Sequence, residues 1–333
     1  MNEFQMKYDF VAIGDITSDA FIRLKDASVS CDINREHCKI CLSFGDKVPY
    51  ESVTVVPAVG NSPNAAVSAA RLGLKTALVT NIGADEQGKE CLAALAKEGI
   101  ATEYVKAHQD RKTNYHYVLW YEDDRTILIK HENYVYALPE MEPPGWIYLS
   151  SLSENAASFH DEIEKYLNAN KQVNLAFQPG TFQMKLGVKR LAGIYARTKV
   201  FICNKEEAER ILSLPPSDIK VLLRGIRALG PEIAVITDGP LGAYVYEDEK
   251  MWKMPIYPDP KPPFERTGAG DAFSSTLIVA LALSLPITDA LRWAPVNSMS
   301  VVQEIGAQAG LLTREKLEGF LRNAPANYKP ELI

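Results

Sequence analysis

The sequence ERTGAGDAF (265–273) joins a glycine-containing turn to an apolar run, SSTLIVALALSL (274–285). Gly268 and Gly270 allow backbone N–H groups to point at a common centre, because glycine tolerates conformations that are closed to other residues. A helix that begins near Asp271 adds the positive end of its dipole, so the stretch predicts an anion site at a helix N-terminus. The pattern alone leaves two interpretations of Asp271, as a helix cap or as a catalytic base beside a phosphate.

Upstream of this turn, short apolar runs alternate with helical patterns. The predicted strands are FVAIG (10–14), TALVTNIG (76–83), WIYLS (146–150), VNLAF (173–177), VFICN (200–204) and IAVITDG (233–239). Helices are predicted at NAAVSAARLGL (64–74) and GKECLAALAKEG (88–99). This alternation predicts an α/β protein whose parallel sheet binds ligands at the carboxyl ends of its strands. Residues 18–58 and 113–131 break the alternation and predict a small β-structure beside the main sheet.

The composition narrows the classes of protein. The 333 residues are 47% hydrophobic, which is enough for a sizeable core, and the net charge of −6 argues against a nucleic-acid partner. The first residues, MNEFQMKYDFVAIGD, lack the basic start and apolar core of a signal peptide. The longest apolar run, about 12 residues, is too short to cross a bilayer. We therefore expect a soluble cytoplasmic protein with no membrane or nucleic-acid partner.

The segment SCDINREHCKIC (30–41) concentrates four soft ligands, Cys31, His37, Cys38 and Cys41. The spacing of Cys38 and Cys41 is that of a zinc knuckle. However, only one such pair is present, and the adjacent His37 and Cys38 are poorly placed to bind the same ion. The five cysteines of the chain fit a reducing compartment, which favours plain thiols. Metal binding and redox sensitivity remain open alternatives.

Another candidate phosphate loop, GADEQGKE (83–90), is one residue away from a Walker A sequence. Glu90 replaces the Ser or Thr that should reach magnesium, and Asp85 and Glu86 would repel phosphate. We interpret this segment as a turn that leads into a helix. No GxGxxG sequence follows the first strand, which disfavours dinucleotide binding.

Five motifs in order along the chain resemble the PfkB, or ribokinase-like, family of carbohydrate and nucleoside kinases. ERTGAGDAF is similar to the family's C-terminal signature (D)TxGAGDxF. The other matches are GDITSD (14–19), VGNSPNAA (59–66), NKEE (204–207) and TDGPLGA (237–243). The resemblance spans roughly residues 9–320. It implies a single three-layer α/β/α domain over residues 1–333, with a mostly parallel central sheet and a β-sheet lid formed by parts of 17–58 and 112–135.

The resemblance also implies a role for each matching residue. Asp271 would take the proton from the substrate hydroxyl, and the anion hole would comprise Gly268, Ala269 and Gly270. The substrate-binding positions would be Asp19, Gly60, Asn61 and Asn64. The nucleotide-binding positions would be Asn204, Thr237, Gly239, Gly242 and Asn297. Glu207 would organise Mg²⁺, mostly through water, as suits a hard cation.

Three positions depart from the family pattern. Val59 replaces the first glycine of the substrate motif, which changes the shape expected of that loop. Glu265 and Arg266 replace the usual Asp and Thr. Glu265 and Thr267 are candidates for a monovalent-cation site, but Glu265 is one methylene longer than the usual residue, so activation by K⁺ is in doubt.

The implied function is transfer of phosphate from ATP to a hydroxyl of a small sugar. One alternative is a nucleoside kinase, in which Tyr115, Tyr117, Trp120 or Tyr121 would stack on a base. Strand alternation, however, puts Tyr115, Tyr117 and Leu119 on one face and His116, Val118 and Trp120 on the other. Another alternative is a non-catalytic sensor, which would have no need of the base. Lids of this family often pair, so a homodimer is expected.

Overall fold

The computed structural model describes residues 6–31, 38–122, 124–264 and 266–333, except for the side chain of Asp124. The strands of the main sheet are β1 (Phe10–Ile13), β6 (Thr76–Gly83), β7 (Val105–His108), β10 (Trp146–Leu149), β11 (Asn174–Phe177), β12 (Thr198–Asn204), β13 (Ile233–Thr237), β14 (Ala243–Glu247), β15 (Lys250–Met254) and β16 (Glu331–Leu332). The remaining strands are β2 (Thr17–Leu24), β3 (Ser28–Ser30), β4 (Lys39–Cys41), β5 (Tyr50–Val59), β8 (Asn114–Tyr121) and β9 (Asp124–Leu128).

The helices are α1 (Asn61–Arg71), α2 (Glu86–Lys97), α3 (Ala157–Ala169), α4 (Thr181–Leu186), α5 (Ala192–Arg197), α6 (Lys205–Leu212), α7 (Ile219–Ala228), α8 (Ala269–Ala282), α9 (Ile287–Val301) and α10 (Arg314–Arg322). In the described part of the chain, none of these helices has the length and apolar character needed to span a bilayer. The predicted strands are confirmed. The first helix begins at Asn61 and not at residue 64, because Gly60 adopts φ 126° and acts as its N-cap.

The main sheet has the strand order β16-β15-β14-β13-β12-β11-β10-β1-β6-β7. Every neighbouring pair between β7 and β13 is parallel, and β14, β15 and β16 add an antiparallel edge. The central strands β1, β6 and β10 are buried along their whole length, since helices cover both faces. The carboxyl ends of the parallel strands therefore share one edge, as predicted for the ligand site.

A separate four-stranded sheet of order β5-β2-β8-β9 forms the expected small β-structure. β8 and β9 make the predicted hairpin, and β2 pairs with β8 in parallel, with Ala20 opposite Tyr117. The predicted alternation along β8 is confirmed, because Val118 is fully buried whereas Tyr117 is 48% exposed. We call the face of His116, Val118 and Trp120 the inner face of the lid sheet.

The cysteine segment differs from its prediction. β3 and β4 form a hairpin that brings Cys31 and Cys38 together, and their sulfurs are bonded in a disulfide. Cys41 is a free, exposed thiol. Plain thiols were expected for all three residues, because sequence spacing does not reveal which cysteines a hairpin places side by side. His37 lies outside the described residues, and a metal site that uses Cys31 and Cys38 would require reduction of this disulfide, because the thiolate is the metal ligand.

The GADEQGKE segment is confirmed as a turn that leads into a helix. Asp85 is the N-cap of α2, and its Oδ1 accepts a hydrogen bond from the backbone N–H of Gly88 at 3.0 Å. A second acceptor contact, from the hydroxyl of Thr113 at 2.6 Å, holds the same carboxylate. Asp85, whose negative charge argued against phosphate binding by this segment, thus has a structural role as a helix cap.

Candidate active site

The glycine turn before α8 is built around Gly268. This residue is the N-cap of α8 and adopts φ 78°, a left-handed conformation that favours glycine. A Cβ atom at this position would also collide with Ala307. Ala269 and Gly270 are the first two helical residues, so their N–H groups have no acceptor within the helix. The N–H of Ala269 makes only a long contact, at 3.5 Å, with the carbonyl oxygen of Arg266, and the positive end of the helix favours an anion at this position.

Asp271 is not the cap of this helix. It is the third residue of α8, whose N-cap is Gly268. Its carboxylate instead accepts hydrogen bonds from Asn61 Nδ2 at 2.7 Å, Asn64 Nδ2 at 2.8 Å and Gln178 Nε2 at 3.2 Å. Burial raises the pKa of Asp271, and these hydrogen bonds oppose the rise without cancelling it. A carboxyl group with a raised pKa is suited to general-base chemistry.

The amide groups around Asp271 are themselves held in place. Oδ1 of Asn64 accepts a hydrogen bond from Gln308 Nε2 at 2.9 Å, so the NH₂ end of the Asn64 amide is directed at the carboxylate. Gln178 is oriented in the same way, because its Oε1 accepts a hydrogen bond from the hydroxyl of Tyr148. The orientation of the carboxylate is therefore determined by contacts from several elements of the fold.

Gln178 was missed by the sequence analysis. It follows β11 directly and contacts a residue 93 positions further along the chain. The only signal was its place as a polar residue immediately after a buried strand. Such residues at the carboxyl ends of parallel strands are favoured for ligand sites.

A cavity of about 370 Å³ adjoins the start of α8. The predicted residues Thr237, Gly239, Gly242, Ala269 and Gly270 all line it. Its apolar walls include Phe273, Pro295, Met299 and Val302. The cavity thus combines an apolar slot for a flat ring with a helix N-terminus for phosphates.

A neighbouring cavity of about 420 Å³ shares Thr237, Gly239 and Gly270 with the first one. Asn204, Glu207 and Gln178 also line it. Asn204 and Glu207 form a capping box at the start of α6, in which each backbone N–H donates to the other residue's side chain, at 2.8 and 2.9 Å. These two residues therefore have a structural role in addition to their place at the cavity.

The carboxylate of Glu207 fits a hard cation. Burial raises its pKa, and the negative charge of Asp271 raises it further. A cation between the carboxylates of Glu207 and Asp271 would oppose both causes of the raised Glu207 pKa. Mg²⁺ suits this position because it prefers oxygen ligands and retains several waters. The residues present are thus compatible with magnesium held largely through water.

Asn297, one of the predicted nucleotide-binding positions, is not among the residues that line either cavity. Asn297 is fully buried, and its amide donates to Thr276 Oγ1 at 2.8 Å and accepts from the Leu312 N–H at 2.9 Å. It joins helices in the core, and the neighbouring Pro295, Ser298 and Met299 line the cavity instead. Glu265 lies outside the described residues, so the monovalent-cation site with Thr267 stays a prediction.

The residues predicted to bind substrate lie on and next to β2, β5 and the start of α1. The start of β2 pairs with the end of β5, which leads directly into Gly60 and α1. A Cβ at Gly60 would lie 2.8 Å from the carbonyl oxygen of Asp15, so this close approach requires glycine. Asp19 points from the inner face of the lid sheet, with Oδ1 3.4 Å from His116 Nδ1. Asn61 and Asn64, also expected to bind substrate, contact Asp271 directly.

The geometry can be compared with known proteins. A family model described as pfkB family carbohydrate kinase matches residues 28–314. The chain belongs to the PfkB carbohydrate kinase family. Like other members it is a phosphotransferase, and the resemblance of its five motifs is confirmed at the level of the family.

Two curated PfkB relatives illustrate the range of substrates. The chain is 29% identical over 284 residues to a ribokinase of Bacillus subtilis, which covers 83% of this chain and 92% of the ribokinase. It is 24% identical over 278 residues to a nucleoside kinase of Methanothermobacter thermautotrophicus, with 82% and 87% covered. Sugar and nucleoside kinases thus both occur among the relatives.

Solved structures confirm the fold. The ribokinase of Arabidopsis thaliana complexed with ribose and ATP superimposes with a TM-score of 0.79 at 20% identity, over 95% of this chain and 99% of that one. A nucleoside kinase of Methanocaldococcus jannaschii gives a TM-score of 0.76 at 16% identity, over 96% and 99%. The α/β/α architecture with a lid sheet is therefore that of the ribokinase fold.

Proposed function

We propose that this protein transfers the γ-phosphate of ATP to a hydroxyl group of a small sugar, with Asp271 as the general base. The observation that carries the proposal is the position of the Asp271 carboxylate. It is oriented by Asn61, Asn64 and Gln178 in the first turn of α8, next to Gly270 and Gln178, which line a cavity. The whole chain would act as one kinase unit, closed by the lid of residues 17–58 and 112–135.

The reaction follows from this placement. The acceptor hydroxyl loses its proton to Asp271 while its oxygen forms a bond to the γ-phosphorus, and the bond from that phosphorus to the ADP oxygen breaks. The N–H groups of Ala269 and Gly270 stabilise the negative charge that develops on the phosphoryl oxygens. Magnesium supplies further neutralisation of the phosphates when bound, and Asn204 and Glu207 would hold its water ligands.

The direct test is release of ADP when the purified protein is mixed with MgATP and neutral sugars. Hydrolysis of ATP without an acceptor serves as the background rate. ADP release that depends on a sugar supports the proposal. A protein that binds sugar and ATP but releases no ADP would instead be a sensor.

Asp19→Ala should weaken acceptor binding at least ~10-fold and leave ATP binding nearly unchanged. The reason is that Asp19 lies on the lid sheet, away from the nucleotide cavities, and a hydrogen bond to a charged group contributes about 1.5–3 kcal/mol. Calorimetric titration with ATP and with the best sugar measures both effects. Asp161→Ala is a matched control, because this exposed carboxylate pairs with Arg190 on the surface. Equal loss of both ligands in Asp19→Ala would contradict the assignment.

The outer face of the lid sheet offers a surface for the expected homodimer. Val55, Ala20, Tyr117 and Leu128 lie opposite one another across the four strands, and three of them are about half exposed. A contiguous exposed apolar surface of this kind marks an association site. Sedimentation of the wild-type protein should therefore give twice the monomer mass, and a strictly monomeric protein at high concentration would contradict the dimer.

A location in the cytoplasm, where ATP is available, accords with the proposed reaction.

Activation by K⁺ through Glu265 and Thr267 remains a prediction.

A further inference from the structure

Four buried polar atoms on or next to the inner face of the lid sheet have no hydrogen-bond partner among the described residues. They are Asp15 Oδ2, Asp19 Oδ1, His116 Nε2 and His131 Nδ1. Asp15 is only 8% exposed. Buried polar groups without a partner destabilise a protein, so four neighbouring ones indicate that a ligand satisfies them.

These four side chains form two adjacent carboxylate–imidazole pairs, in which Asp15 Oδ2 faces His131 Nδ1 and Asp19 Oδ1 faces His116 Nδ1, whereas His116 Nε2 is the other nitrogen of its ring. His116 Nδ1 lies 3.4 Å from Asp19 Oδ1, and His131 Nδ1 lies 3.5 Å from Asp15 Oδ2. The two imidazole rings are 5.4 Å apart between centroids. In each pair the carboxylate oxygen and the imidazole nitrogen are close but are not aligned as a hydrogen bond. These atoms are therefore available to bind polar groups of a ligand.

The pair of Asp15 and His131 is held rigidly in the fold. Asp15 Oδ1 accepts a hydrogen bond from the hydroxyl of Tyr136 at 2.7 Å, so only Oδ2 remains for a ligand. Tyr136 in turn stacks on Phe159 at 5.6 Å. The His131 ring packs edge-on against Phe182, in the helix that begins shortly after Gln178. Because Phe182 follows Gln178 by four residues, this contact links the second pair to the segment that carries one of the residues orienting Asp271.

We propose that Asp15, His131 and His116 form a second hydroxyl-binding subsite next to Asp19, which makes the acceptor an uncharged polyol with hydroxyl groups beyond those that Asp19 binds. A hydroxyl group suits this site because it donates to a carboxylate and accepts from an imidazole N–H at once. The subsite rests on the proposed kinase function and defines its substrate class. Sugar acids and sugar phosphates are disfavoured, because Asp15, Asp19 and Asp271 would all repel an anion.

The test compares specificity constants across a panel of ribose, fructose, glucose, myo-inositol, gluconate and glucose 6-phosphate with constant MgATP. A neutral six-carbon polyol should exceed both anionic compounds by at least ~10-fold. Asp15→Asn keeps an acceptor for Tyr136 but loses a charged oxygen, and His131→Phe keeps the packing on Phe182 but loses the imidazole. Each should raise the KM of the preferred polyol about 10-fold, with smaller changes in kcat. The KM for ATP should stay the same.

The control variant is Asp161→Asn on the surface, which should match the wild type. Unchanged KM values in both Asp15→Asn and His131→Phe, or preference for an anionic acceptor, would overturn the subsite while leaving the kinase function intact. Absence of ADP release with every compound would overturn the kinase function instead. In that case, calorimetric binding of the same compounds to wild type and Asp15→Asn still decides the subsite: weaker binding of a neutral polyol to the variant supports it, and equal or no binding to both proteins rejects it.

Discussion

Asp271→Asn is expected to lower kcat by at least ~10²-fold, the low end of the loss caused by removing a general base. The substitution keeps the size of the side chain but removes the group that takes the proton. Because Asn61, Asn64 and Gln178 all donate to this position, an amide can still accept some of these hydrogen bonds, and the protein should fold. Binding of ATP should change by less than ~3-fold, since the nucleotide cavity is lined by other residues.

Asp289→Asn is the matched control, because Asp289 is also an acidic residue in the first turn of a helix, α9. This variant should retain wild-type turnover. Wild-type turnover in Asp271→Asn as well would leave Asp271 with a purely structural role and end the proposed mechanism.

The pH dependence of activity provides an independent test of Asp271 as the base. A base must be ionised to accept a proton, so activity should be present above the pKa of Asp271 and be lost as the pH falls through it. Since burial raises this pKa, the loss should occur at a higher pH than for an ordinary aspartate. Profiles of kcat/KM against pH for the wild type and for Asp271→Asn measure this loss. The residual activity of the variant should not fall in the same acidic range, because the variant lacks the group that titrates there.

The features that were predicted from the sequence depend on local patterns. The strand ends, the lid hairpin and the anion-binding turn follow from apolar runs and from glycine positions that only a few backbone conformations satisfy. Gly268 shows this well, because its left-handed conformation and its contact with Ala307 both require glycine. Such constraints depend on only a few neighbouring residues, so they can be recognised in the sequence.

The features that were missed depend on pairing between distant segments. Gln178 meets Asp271 only because β11 ends at the same edge of the sheet as the start of α8, and His131 meets Asp15 across 116 positions of sequence. Asn297 donates a hydrogen bond to Thr276 in the core, a contact between two helices that the sequence does not reveal, and its role toward the nucleotide stays a prediction. The cysteine hairpin is a local case, since Cys31 and Cys38 are only seven residues apart, but the strand register that brings their sulfurs together is not visible in the spacing of the cysteines.

The second large effect concerns the choice between sugars and nucleosides. Competitive turnover of fructose and ribose against adenosine, inosine and cytidine, with the same MgATP, should favour the best sugar by about 10²-fold in kcat/KM. A nucleoside more than ~10²-fold better than the best sugar would reverse the assignment, because that ratio equals roughly 2.7 kcal/mol of additional transition-state binding, which requires a true base pocket.

The lid residues explain why no such pocket is expected. Tyr115 and Tyr117 contact each other at 5.3 Å on the outer face, where they cannot reach a base bound beside Asp19. Trp120 lies on the inner face but is already engaged, since its indole N–H donates to the Glu122 carbonyl at 3.0 Å and its ring contacts Phe264 at 5.3 Å. The surface that remains near Asp19 is lined by imidazoles and carboxylates. An aromatic base placed there would leave these buried polar groups without partners, at about 1–3 kcal/mol each, whereas the hydroxyl groups of a sugar satisfy them.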